Sequence, residues 1–189
     1  MSTPPRRPLS VSDAMILVVA VAVGLAQSRS YHATLVIHPD LDYYTIGRLT
    51  YNQWAVLAVP ALVPFAPALV AVRLGRPWRP LRRTASEPGF TACVVIGLLW
   101  VASLVIGPLI AAMPGPPFTS RLAGGGWLLV GSSYAMSASL GPSIAAAWAV
   151  QWLGGRWRPR ANWCDRAGRA LGIFFIANYL VVDWLRLHL

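Results

Sequence analysis

The chain has 189 residues, a hydrophobic fraction of 56% and a mean hydropathy of +0.55, well beyond an ordinary soluble domain. Its net charge of +10 comes from 16 cations, all arginine, set against 6 acids. A pI near 11 suits a nucleic-acid binder, but here the charge punctuates apolar runs and no nucleic-acid motif is present, so nucleic acid is not an expected partner.

Twelve of the 16 arginines fall in three patches, at Arg6 and Arg7, from Arg73 to Arg83, and from Arg156 to Arg169. Cationic connections on one side of successive apolar segments mark a multi-pass membrane protein, because they resist translocation. The expected fold is an all-α integral membrane bundle, a single membrane domain over residues 1–189 with five transmembrane helices. The patches put the N-terminus inside and the C-terminus outside, in a bacterial cytoplasmic membrane.

The first expected span runs over 11–27, opened by Ser12 and Asp13, residues that favour a helix start. Arg6 and Arg7, the apolar stretch and small residues at Gly24 and Ala26 also suit a cleaved signal peptide, which would leave four spans. The longest connection, about 28–53, carries His32, His38, Asp40, Asp42, Tyr43 and Tyr44, and its tyrosines suit the outer interface. Its H-P-D-L-D run offers three metal-ligand types, too few for a site without a fourth. The histidines lie outside or at the edges of the spans, so axial haem ligation within the membrane is not expected. No cofactor is expected.

The second span is expected over 54–72, with Pro60, Pro64 and Pro67 inside it. The third runs over 90–113 with Gly107-Pro108, and the fourth over 127–153 with Gly141-Pro142. Each proline frees backbone carbonyls, as in simple kinks or in the broken helices of transporters. In the fourth span Ser132, Ser139 and Ser143 share a helical face suited to close helix approach, or alternatively to a polar path. The fifth span is expected over 167–187. It holds Asp183, an acid within an apolar run, with Arg186 three residues on as its natural ion-pair partner. At its start, Asp165 is placed to favour the helix N-terminus and to pair with Arg169.

The two cysteines, Cys93 and Cys164, lie towards the expected cytoplasmic side and are expected as free thiols. Two basic connections echo each other, L-G-R-P-W-R-P at Leu74 to Pro80 and L-G-G-R-W-R-P at Leu153 to Pro159. Either a duplicated unit or convergence on one inner-interface composition accounts for them. Arg76, Arg79, Arg82, Arg83, Arg156, Arg158 and Arg160 are candidate contacts for anionic lipid headgroups.

The R-R-P-L-S-V-S-D-A-M-I-L-V-V-A-V-A-V-G-L-A opening resembles that of multi-pass membrane proteins of planctomycete type. So do E-P-G-F-T-A-C at Glu87 to Cys93 and G-R-W-R-P-R-A-N-W-C-D-R-A-G-R-A-L-G at Gly155 to Gly172. The resemblance implies a bacterial cytoplasmic membrane and brings no activity with it. No nucleophile and base pair is apparent, and the expected role is a non-enzymatic structural or accessory subunit, with membrane lipids and a possible homo- or hetero-oligomer as partners. The alternative is a small transporter or channel protomer using the kinked helices, the serine face and Asp183.

Overall fold

Helix α1 spans Val11–Ile37, and its first turn is closed by reciprocal hydrogen bonds. Asp13 N–H donates to Ser10 Oγ at 3.1 Å and Ser10 N–H donates to Asp13 Oδ2 at 3.2 Å. This capping box satisfies two backbone donors that a helix start leaves open, and it puts the cap at Ser10, two residues before Ser12. The computed structural model describes residues 10–37, 58–75, 84–112, 125–160 and 162–188. At 30–37, 106–112, 125–138, 182–183 and 185–188 only the backbone is described.

The regular structure among the described residues is all helical, with no strand among them. A short helical turn at 58–62 is interrupted at Val63 and Pro64, where Pro64 supplies no N–H, and helix α2 follows over Phe65–Leu74. Helices α3, α4 and α5 cover Pro88–Ala112, Gly125–Leu153 and Trp163–His188. Helix α1 continues ten residues past the apolar run that ends at Gln27, because polar residues end an apolar span without ending a helix. Pro142 sits inside α4 without breaking it. Among the described residues, two helices are long and apolar enough to cross a membrane, at Val11–Arg29 and Pro88–Val105.

Helix α3 lies at the centre, packed against α2, α4 and α5, while α4 packs on α5 and α1 packs on α2 and α4. The shared core joins Val59, Val63, Ala66 and Leu69 to Ala92, Cys93 and Ile96, then to Leu140, Ile144 and Phe175. Small residues set the approach distances. A Cβ on Gly24 would meet the backbone of Ala61, and one on Gly141 would meet Tyr179 and the Phe175 carbonyl. A Cβ on Gly172 would meet the Trp148 ring and Ala92. Such contacts let helix backbones approach closely.

Side-chain polarity is arranged inside out. Glu87 is 0% exposed and Asp165 1%, whereas Val18 on α1 is 65% exposed, Leu98 on α3 66%, Val150 on α4 71% and Ile173 on α5 60%.

Candidate functional site

The segments before α3 and α5 meet at one end of the bundle. Arg158 N–H donates to Ser86 O at 3.1 Å, and Gln151 Nε2 donates to Ala85 O at 2.8 Å. Trp148 Nε1 donates to Pro88 O at 2.9 Å, so α4 reaches across to the first turn of α3. Both basic connections adjoin this end.

Glu87 immediately precedes Pro88, which opens α3 as a proline can, since the first N–H of a helix has no internal acceptor. This places the Glu87 carboxylate between two arginines. Arg73, in the last turn of α2, approaches it with Nε 3.1 Å from Oε2 and Nη2 2.5 Å from Oε1. The Arg160 Nε lies 3.1 Å from Oε1. The Arg73 and Glu87 side chains are 5% and 1% exposed, so the bidentate pair is buried inside the bundle.

Asp165 forms the neighbouring node. Asn162 caps α5, its Oδ1 accepting from Asp165 N–H at 2.7 Å. The Asp165 carboxylate then turns away from its own helix, and Oδ1 accepts the Gly89 N–H at 2.8 Å. That N–H is one of the open donors at the start of α3, so an acid on one helix caps another. Oδ2 accepts Arg160 N–H at 2.9 Å. Arg169 Nε lies 3.2 Å from the same oxygen, a charge contact without a directed hydrogen bond. The i, i+4 pair expected from sequence is thus present, inside a larger network.

Between the nodes is a cavity of about 10 Å³, room for roughly one water, lined by Leu69, Arg73, Glu87, Phe90, Cys93, Cys164 and Asp165. Both cysteines are free thiols, 1% and 6% exposed. The carboxylates are held by guanidinium and amide donors, an arrangement that fixes helix ends. Among the described residues, no group of three or more His, Cys, Asp or Glu is arranged to hold a metal ion.

The other sequence candidates sit elsewhere. Ser139 and Ser143 are half-buried beside the buried Leu140, Gly141 and Ile144, and neither lines the cavity. The side chains of Ser132, Asp183 and Arg186 lie outside the described residues, as do Arg76, Arg79, Arg82 and Arg83 altogether. Arg156 and Arg158 are exposed, and Arg160 is engaged by Glu87. Of the polar groups near mid-helix, Gln27 bridges two elements: in its satisfied orientation the amide donates to Pro60 O at 3.1 Å and accepts from Trp100 Nε1 at 3.2 Å.

Glu87 was not singled out in the sequence, because both its partners are distant in the chain. A usable signal was there, an acid placed directly before the Pro-Gly that opens an apolar run. Gly168 and Gly172 likewise have the four-residue spacing of a close helix crossing. The chain matches no protein-family model, and neither a curated protein nor a solved structure is significantly similar to it.

Proposed function

We propose that the chain is a multi-pass protein of a bacterial cytoplasmic membrane, crossing five times with its N-terminus inside and C-terminus outside, and that it serves as a non-enzymatic structural or accessory subunit. The inside-out polarity carries this reading. Large apolar side chains face outward on α1, α3, α4 and α5, a surface that water would drive to aggregate and that hydrocarbon accepts. The buried charges, in turn, are closed on one another.

Helices α1, α3, α4 and α5, of 27, 25, 29 and 26 residues, exceed the roughly 20 needed to cross the hydrocarbon core. Segment Ala58–Leu74 is a shorter apolar helix, consistent with a second span that begins before residue 58. Packing of Gly24 and Gln27 against Ala61, Pro60 and Trp100 supports an α1 retained in the bundle rather than a removed signal peptide. The network of Glu87 and Asp165 ties α2, α3 and α5 together, which supports a scaffold role.

Two experiments test the two halves. Alkaline carbonate should leave the protein in the membrane pellet, and its release would end the multi-pass reading. Affinity purification of the full chain in mild detergent should bring down a stoichiometric partner or further copies. A lone 20.4 kDa chain, recovered without a partner from its native membrane, would contradict the subunit role.

A further inference from the structure

We infer that the α4–α5 connection binds the phosphodiester headgroup of an anionic phospholipid, with Arg156 and Arg158 as its cations and the last turn of α4 as its acyl-chain shelf. This rests on the membrane reading above. The cations at this end divide into two sets. Arg73, Arg160 and Arg169 are engaged by Glu87 and Asp165. Arg156 and Arg158 on the α4–α5 connection, and Arg166 in the first turn of α5, are exposed, and their guanidiniums ion-pair with no described residue. Both described carboxylates at this end already carry arginines, which leaves Arg156 and Arg158 open to an external anion.

The pair is presented from a fixed backbone. Helix α4 ends in a Schellman turn: Gly155 has φ 62°, its N–H donates to Trp152 O at 3.1 Å, and Arg156 N–H donates to Gln151 O at 2.9 Å. Two residues on, Arg158 N–H is held by Ser86 O. Between them Trp157 turns inward and packs edge-on against Trp148, ring centroids 5.5 Å apart at 88°. Arg156 and Arg158 are exposed on either side of the half-buried Trp157, so both cations stand at the surface beside the pinned turn. Ordering such a loop is a cost that ligand binding does not have to meet.

Directly before the turn, Val150, Trp152 and Leu153 are 71%, 68% and 77% exposed. An apolar and aromatic shelf joined to two pinned cations complements a lipid, whose acyl chains lie beside its phosphate, better than it complements a free anion. Trp at such a boundary is a normal interfacial anchor.

The test uses the full chain in nanodiscs of phosphatidylcholine with or without phosphatidylglycerol, read by native mass spectrometry of retained lipid and by thermal midpoint. Wild type should retain phosphatidylglycerol selectively and gain stability from it. Arg156→Gln/Arg158→Gln should lose about 30-fold in that preference, the effect of two interfacial cations. Arg156→Lys/Arg158→Lys should keep it within a few-fold, and Arg166→Gln, which removes another exposed arginine at this end, should keep it in full. Unchanged preference in the double glutamine variant, or an equal loss in Arg166→Gln, overturns the inference. So does inorganic phosphate giving the same stabilisation in phosphatidylcholine alone, which would mark a free-anion site. Photoactivatable phosphatidylglycerol should crosslink wild type within 150–158, and crosslinking elsewhere overturns it even if the double variant fails to fold. A carbonate-resistant protein with no lipid preference sinks this inference alone, whereas carbonate release sinks the membrane reading.

Discussion

Gly89 and Gly168 meet where α3 crosses α5, so closely that neither has space for a methyl group. A Cβ on Gly168 would strike the Gly89 carbonyl, and one on Gly89 would strike the carbonyl and carboxylate of Asp165. The obstacle in each case includes backbone, which cannot rotate aside. Gly168→Ala should therefore push the two helices apart and lower stability in detergent by about 1–3 kcal/mol. Gly97→Ala provides the contrast, since its nearest neighbour would be Pro67 at 3.8 Å, an ordinary contact. Alanine there should be neutral or stabilising by up to roughly 1 kcal/mol, from the better helix propensity. Thermal denaturation of both variants in one detergent reads the opposite signs.

The Arg73–Glu87 pair should behave as a unit. Removing one partner leaves a buried charge, at a cost of about 3 kcal/mol or more, while replacing both with apolar residues of similar size leaves none. Glu87→Leu and Arg73→Met should each destabilise strongly, and the Arg73→Met/Glu87→Leu protein should lose much less than the two losses combined. Arg160 is 35% exposed and can swing to water when Glu87 is removed, so it softens the glutamate loss without erasing it. Strict additivity in the double-mutant cycle would show that the pair holds nothing together.

Gly155 should resist substitution where Gly154 does not. Nothing lies within 4 Å of a Cβ on Gly155, so space is not the issue; its φ of 62° is. Gly155→Ala should cost about 1 kcal/mol of left-handed strain and loosen the Schellman turn. Limited tryptic cleavage after Arg156 should accelerate in that variant and stay slow in Gly154→Ala.

Cys93 and Cys164 should be silent thiols. Both are buried against the α3–α5 crossing. A membrane-permeant maleimide should modify neither in the folded protein and both after denaturation. Rapid modification of Cys164 in the native state would mean that the cavity beside Asp165 opens.

Local features were the ones legible in the sequence. The arginine-bounded apolar runs correspond to α3, α4 and α5 because interior helices are apolar all round and connections are not. Asp165 with Arg169 was legible because both partners sit on one helix face. The proline cluster marked the break at Val63 and Pro64. Hidden from sequence was everything set by the fold's long-range closure. Glu87 meets Arg73 across 14 residues and Arg160 across a whole hairpin, and Asp165 caps a helix 76 residues away.

Topology is the central claim, and cysteine accessibility in intact spheroplasts tests it most directly. Single cysteines replace Ala85, Pro159 and Thr119 in a protein lacking Cys93 and Cys164. Ala85 and Pro159 are exposed and adjoin the two basic connections, and Thr119 lies in the connection between α3 and α4. An impermeant maleimide should label Thr119→Cys at once and reach the other two only after permeabilisation. Labelling of Ala85→Cys and Pro159→Cys from outside, with Thr119→Cys protected, would invert the orientation. Labelling of all three from outside would mean that neither α3 nor α4 crosses the membrane.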